Sequence, residues 1–411
     1  MSECRNRVEH ALALLERHPE LQDAAAARMK LSAARGWSLM YGTGRSDATR
    51  AAWEMTLGDA EALGDAGYKS RALWGMWIGT LNKGNWASAL QLARQLSEHV
   101  AQNSDPWDEI MVDRVLATTL HYRGDQAQAE AAMERMLARY AELGNQPRVA
   151  RFQVDQKVAA HYFLARILWL RGCFEQALRM VDHNISEGLE LDHALTFCSV
   201  LGQGACPIAL FTGDLVGACR FSTMLLDHAA RYGLNLWHEW ARCFQGLVAA
   251  HEGEPARGLA LMNDVLERVG ENRFLPRYMI LNGEMAAWLG HLGEGRLGLQ
   301  TVDRLIERCQ RSEECWYLPE ALRVKAELVA HAGGAEARTT ADRLLMRAIR
   351  LARTQSARAW ELRASADLLH LHRDSRREVA ARAGLARVLN ALTEGFGTPD
   401  AVRAKSLLGV I

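Results

Sequence analysis

A glycine returns at near-constant intervals along this chain, and each time it separates two stretches whose apolar residues follow helical spacing. Gly44, Gly84, Gly124, Gly172, Gly213, Gly253 and Gly293 stand 40, 40, 48, 41, 40 and 40 residues apart; Gly333-Gly334 continues the series and Asp374 occupies the next slot. A fixed period of this size means one supersecondary unit stacked many times. The turn has a local cause. Glycine takes the left-handed conformation that ends one helix, and the residue after it, such as Asn85, Asp125, Asp214 or Glu254, caps the next helix or favours its dipole. Pro255 suits a helix start, where its missing N–H costs nothing.

Five residues beyond the glycine stand Ala89, Ala129, Ala177, Ala218, Gly258 and Gly298, and seven before it stand Ala117, Ala165, Cys206, Gly246 and Ala286. Two small positions per unit let paired helices approach closely. Larger residues such as Trp237, Trp240, Phe244 and Leu247 fill the faces between. This pattern resembles the tetratricopeptide repeat in a longer form, over almost the whole chain. The resemblance implies an all-α fold, a right-handed α-solenoid of about nine helical hairpins. It also implies one array over residues 1–411, with an opening helix at 1–19, repeats over 20–392 and a capping helix at 393–411. A solenoid grows by adding units, so length does not divide it into ordinary domains, and strand content should be close to none.

Trp37 and Trp77 depart from the pattern, putting indoles where a small residue is expected. Either the first two units pack more openly or the indoles fill space left by shorter neighbours; the second is favoured, because buried tryptophan is common wherever a gap must be filled. The extra residues before Gly172 fall near Glu142 to Gln156, where Gly144-Asn145-Gln146-Pro147 reads as a helix stop and a lengthened connection. Pro207, mid-helix, removes a backbone bond to Gln203 and should kink that helix.

Forty-nine basic and forty-nine acidic side chains are interspersed and leave no formal net charge. A nucleic-acid surface shows as a basic excess or stripe, so direct binding of nucleic acid is not expected. Neither a membrane span nor a leader sequence is read in the chain, and a cytoplasmic protein is expected. Eight cysteines lack a Cys-x-x-Cys pair and are read as reduced thiols on apolar faces. Cys198, Cys206 or Cys219 would bind zinc only by converging with a histidine in space, so neither a metal nor a cofactor is expected. There is no phosphate loop, no dinucleotide-binding glycine fingerprint, no His-Glu-x-x-His and no Gly-x-Ser-x-Gly. His372-Arg373-Asp374 stands at a repeat turn without any other kinase feature. Asp182-His183, Asp192-His193 and Asp227-His228 are adjacent pairs whose side chains diverge on a helix. An enzyme is therefore not expected.

In the C-terminal third, Trp316-Tyr317-Leu318-Pro319-Glu320-Ala321, then Ala359-Trp360-Glu361-Leu362-Arg363, then Thr393 to Asp400 followed by Ala404-Lys405-Ser406-Leu407-Leu408 occur in order. This series resembles the closing segment of bacterial signal-transduction ATPases of the STAND class. Those proteins join a winged-helix or cyclase domain and an NTPase to a long tetratricopeptide-like array. The resemblance implies a non-enzymatic sensor array that binds a small-molecule effector, a peptide or a protein partner and controls an NTPase or transcriptional regulator. A free-standing adaptor for peptide tails is the alternative, and a cryptic hydrolase the more distant one. By the same resemblance the first helix of each hairpin lines a concave groove. Projecting the inward register selects Arg71, Trp74, Arg114, His121, Tyr162, Arg166, Gln203 and Trp240, with Asn82, Tyr122, Trp169 and His251 beside them. Arginine and aromatic residues recur there and suit a carboxylate-bearing peptide or small anionic effector.

Overall fold

The fold follows from a computed structural model, which describes residues 2–18, 20, 23–42, 47–103, 105–144, 154–269, 278–334 and 336–410. These residues are helical hairpins joined by short turns, and no strand occurs among them. The chain divides into two compact units, Met1–Thr119 and Leu120–Ile411.

The first unit holds α1 (Ser2–Arg17), α2 (Ala24–Gly42), α3 (Asp47–Leu63), α4 (Ala66–Asn82), α5 (Trp86–Asn103) and the greater part of α6 (Pro106–Arg123). Helices α1 to α5 pack chiefly on their chain neighbours. The tryptophan departure resolves here. A Cβ on Gly36 would stand 2.6 Å from the Trp53 indole and one on Gly75 2.3 Å from it. The small positions have thus moved from residues 37 and 77 to Gly36 and Gly75, and the Trp53 ring occupies the room they leave. Trp37 meets Trp53 edge-on at 5.3 Å and Trp74 at 4.7 Å. Trp77 is buried and donates its Nε1–H to Thr119 Oγ1 at 2.9 Å, satisfying the one polar atom the indole carries inward.

The second unit continues with α7 (Gln126–Glu142), α8 (Gln156–Arg171), α9 (Phe174–Glu190), α10 (Ala194–Thr212), α11 (Leu215–Arg231), α12 (Asn235–His251), α13 (Pro255–Val269), α14 (Tyr278–His291) and α15 (Gly295–Ser312). It closes with α16 (Leu318–Ala332), α17 (Ala337–Thr354), α18 (Arg358–Leu371), α19 (Glu378–Asn390) and α20 (Pro399–Leu408). Every described glycine of the repeat is left-handed, from Gly84 at φ 70° to Gly293 at 84°, and Asp374 in the next slot has φ 60°. Asn85, Asp125 and Asp214 cap the following helices, each accepting the backbone N–H three residues on. The two small positions of a unit meet face to face: a Cβ on Gly258 would lie 2.3 Å from Gly246 O.

A second left-handed series stands at the turns between hairpins, and of it the sequence reading marked only Gly144. Gly64, Gly144, Gly233 and Gly395 belong to it, but so do Asp192, Glu313 and Ser356, and only a glycine advertises the conformation. The lengthened connection around Pro147 lies outside the described residues. Pro207 is accommodated by a π-helical stretch, Val200–Ala205, immediately before it, where the backbone register slips by one residue. The helix Ala194–Thr212 is long and apolar enough to cross a membrane, which corrects the reading that no run reaches that length; 78% of its apolar window is buried in the protein, so its apolar character serves the core.

The second unit returns on itself. Helix α18 packs on α8. Trp316 N–H donates to Tyr122 O at 3.1 Å and Gln126 N–H to Gln355 O at 3.3 Å. Helix α9 begins at Cys173, which offers no side-chain cap; Glu394, 218 positions away, accepts the Gln176 N–H at 3.0 Å in its stead. Glu175 in return accepts the Gly395 N–H at 3.1 Å. The C-terminal hairpins therefore complete a helix end that the local sequence leaves open.

Candidate functional site

The inward register places its side chains in two settings. In the first unit, Trp74 is buried against Trp37, Arg71 lies over the Tyr68 ring at 4.7 Å, and Arg114, 5% exposed, lies over Trp77 at 5.5 Å. In the second unit His121, Arg166 and Trp169 of the same register meet the returning C-terminal hairpins at Trp316 and Trp360. His121, fully buried, pairs Nδ1 with Gln126 Oε1 at 2.8 Å, and its ring stands 5.6 Å from Trp316. Burial, reinforced by the Arg166 charge, holds its imidazole well below the usual histidine range. Arg166 is 2% exposed, donates Nη1–H to the Tyr122 hydroxyl at 3.0 Å and lies 4.7 Å from the Trp316 ring centre. Among the described residues its Nε and Nη2 have no hydrogen-bond partner, and its charge rests on π faces rather than on a carboxylate. Trp240 and Arg166 share the wall of a water-sized cavity with Gly202 and Pro207. Tyr162 packs against Phe163 and Gln203 is half-buried. Structure thus brings His121, Tyr122 and Arg166 together against the chain's own Trp316, with Trp240 sharing a cavity wall with Arg166.

Open space lies further along the same register. The inward register comprises the positions ten, six, three, two and thirteen residues before the turn glycine; before Gly333 the first four, Arg323, Glu327, Ala330 and His331, line a cavity of about 590 Å³, while the fifth, Glu320, is buried behind it and bonded to Arg323. That is the size range of small-molecule sites. Small residues make the room: Ala326, Ala330, Gly333 and Gly334 on the α16 side face Ala337 and Ala341 on α17. Asp367, His370 and Leu371 of α18 and Arg403 of α20 complete the wall.

Three arginines and two carboxylates line this cavity. Arg323 is locked: it forms two bonds to Glu320 at 3.0 Å, one to Glu327 Oε2 at 3.0 Å and one to Asp367 Oδ2 at 2.8 Å. Burial opposes its charge, but these carboxylates outweigh burial and hold the guanidinium firmly protonated. Glu320 also accepts from Arg363 at 3.3 Å, and Arg363 bridges onward to Asp400 Oδ2 at 2.7 Å and Phe211 O at 3.0 Å. Arg363 lies over both Trp169 and Trp360, so one guanidinium ties α18 to α20, to α10 and to the α8 indole. Arg338 and Arg403 are less committed, with one bond each, to Leu371 O and Asp367 Oδ1, both at 2.6 Å. A guanidinium carries five N–H donors, so both keep donors for a ligand.

Four cysteines, Cys198, Cys206, Cys243 and Cys309, are buried, and burial pushes the Cys198 thiol up to about 12, as suits an inert apolar side chain.

These features define an all-α helical-hairpin repeat protein whose second unit closes on itself beside a charged, ligand-sized cavity. No family model matches the chain. An uncharacterized protein of Rhizobium meliloti (strain 1021) is 24% identical over 371 residues, covering 89% of this chain and 35% of that protein. The chain therefore spans about a third of the length of the curated relative it matches. Among solved structures, the crystal structure of a Rap protein complexed with competence and sporulation factor aligns over 95% of this chain and 96% of its own, with 11% identity and a TM-score of 0.40. The crystal structure of yeast Tom70 aligns over 98% and 85%, with 13% identity and a TM-score of 0.39.

Proposed function

We propose that the chain is a non-enzymatic sensor module that binds a carboxylate- or phosphate-bearing small molecule or peptide in the cavity between α16, α17, α18 and α20. The observation that carries this reading is the convergence of the inward repeat register on that cavity, with Arg338 and Arg403 holding spare donors over a wall of alanine and glycine. Guanidinium groups recognise planar anions in two-point fashion, while the small-residue wall admits the ligand's body. Glu327 and Asp367 disfavour a doubly charged anion lacking a compensating cation, so a ligand with both a carboxylate and an amine suits the lining best.

Binding there bears on α18 and α20, and Arg363 ties those helices to α10 and to Trp169 of α8. His121 and Arg166, which pack on Trp316, then form the bed on which the C-terminal hairpins rest, with Tyr162, Gln203 and Trp240 further along the same inward register. In the first unit Arg71, half-buried, is proposed as the residue that meets a protein partner, with Trp74 and Arg114 buried in the same inward register. Control of an NTPase or transcriptional regulator is the output we favour, supported by the match to one third of a much longer relative and by the STAND-like order of residues from Trp316 to Leu408.

Thermal unfolding of the full chain against amino acids, carboxylated metabolites, phosphorylated metabolites and short peptides tests the reading. A ligand at a hundred times its dissociation constant stabilises by about 2.7 kcal/mol. The shift should disappear in Arg338→Gln/Arg403→Gln, two exposed positions whose change leaves the fold intact. A ligand whose affinity survives that double substitution places the site elsewhere.

A further inference from the structure

Helices α8 and α9 form one hairpin around Gly172, and near their far ends three metal-ligating side chains come together away from the cavity. His161 stands on α8. His183 and Glu187 stand four residues apart on α9, hence on one face of that helix. His161 Nδ1 lies 2.6 Å from Glu187 Oε2, His183 Nε2 lies 3.4 Å from Glu187 Oε1, and the two imidazole rings are 5.2 Å apart. One donor atom from each residue falls within 4.8 Å of the other two. In a tetrahedral zinc site, with bonds of about 2.0–2.2 Å, ligand atoms sit roughly 3.3 Å apart. Exposed His183 is the side chain that turns in to reach the ion, while His161 and Glu187, 2.6 Å apart, part slightly to admit it.

From this convergence we propose that His161, His183 and Glu187 form a Zn²⁺ site, with water completing the coordination on the solvent side. The donor set is two imidazoles and a carboxylate, which suits zinc and excludes magnesium and calcium, whose preferred ligands are all oxygen. Burial is graded as such a site requires: the His161 side chain is 7% exposed and Glu187 16%, while His183, at 56%, faces the entry path. The sequence pattern His-x-x-x-Glu on one helix is short and common. What gives it a third ligand is the hairpin, which places His161 opposite both residues. Adjacent Asp182 draws the eye to an Asp-His pair, whereas the partner of His183 lies four residues on and across the turn.

Lys157 defines the competition. Its Nζ stands 2.6 Å from Glu187 Oε1, so in the metal-free chain an ammonium occupies part of the carboxylate's coordination sphere. Zinc binding displaces that contact and the proton His161 shares with Glu187, and Lys157 is long enough to swing outward. The geometry therefore makes an unusual demand: removing a neighbouring cation should tighten the metal.

Calorimetric titration of Zn²⁺ alone into the full, metal-stripped chain tests the site. The expected result is one saturable site per chain, weakened by about 10–100-fold or more in His183→Ala and tightened in Lys157→Met. His183 is exposed enough that its substitution leaves the fold intact, which circular dichroism verifies. Substituting Co²⁺ supplies an independent readout: imidazole and carboxylate ligation gives visible ligand-field bands without a thiolate charge-transfer band. Absence of a saturable site, an affinity unchanged by His183→Ala, or a thiolate band from the cysteines would each overturn the proposal.

Discussion

The closure of the second unit makes a sharp prediction at its glycines. Gly213 and Gly293 hold equivalent turn positions, both left-handed, with φ of 74° and 84°. An alanine at either pays the same conformational penalty, about 1–2 kcal/mol for placing a Cβ in the left-handed region. Their surroundings differ. A Cβ at Gly293 meets nothing within 4 Å, whereas one at Gly213 would stand 2.8 Å from Pro399 Cγ and 3.7 Å from its Cδ. The obstacle is a proline ring in the first turn of α20, which cannot rotate away as an aliphatic side chain can. Displacing it moves the helix that carries Asp400, the partner of Arg363. Gly213→Ala should therefore cost about 1–3 kcal/mol more than Gly293→Ala, the usual range for overpacking. Urea unfolding followed by tryptophan fluorescence measures the difference, with an unchanged m-value showing that a midpoint shift reports stability. The double variant Gly213→Ala/Pro399→Ala should recover part of the excess, with a coupling of roughly 0.5–3 kcal/mol. Equal costs for the two single variants, to within about 0.5 kcal/mol, would refute the seating of α20 on the α10–α11 turn.

Two further outcomes follow from the charge networks. Arg323→Met leaves Glu320 and Asp367 without their principal counter-charge and should destabilise by about 3–5 kcal/mol in the same unfolding assay, whereas Arg166→Met removes a buried cation that has no carboxylate and should be nearly neutral or stabilising. At Glu187, burial alone would raise the carboxyl, but bonds and charge from His161 and Lys157 bring it down from 4.5 to about 2. Because the folded value lies below the unfolded one, this contribution is full above pH 4.5 and is lost as pH falls towards 2. Glu187→Gln should flatten that part of the metal-free chain's stability–pH curve, and an unchanged acid limb would show the contacts to be energetically idle.

Legibility along the chain tracks whether a constraint is local. Gly84, Gly124, Gly172 and their successors mark left-handed turns because few other residues tolerate that conformation, and Asn85, Asp125 and Asp214 mark the caps because a short oxygen-bearing side chain reaches the third amide. Asp192, Glu313 and Ser356 adopt the same left-handed conformation without the glycine signal and went unread. The inward register is a projection from helical spacing relative to the glycine. What lies opposite each inward residue was not legible. Arg166 reads as a groove arginine, yet Trp316, 150 positions later, covers it. The Arg323 cavity required knowing that α16, α17, α18 and α20 leave space between them, which depends on the volumes of side chains from separate repeats.

By itself the sequence determined the repeating unit: helix, left-handed turn, capped helix, and the small residues that let the two helices touch. These are short-range consequences of backbone conformation and side-chain size, decided within about forty residues. Only the tertiary structure decided that the C-terminal hairpins return to the early repeats of their own unit, that Glu394 caps α9 from across the chain, and that His161 faces His183 and Glu187. Such pairings depend on small rotations accumulated over many stacked hairpins. No single unit encodes them, because each unit's local preferences are satisfied equally well whether the array stays open or closes.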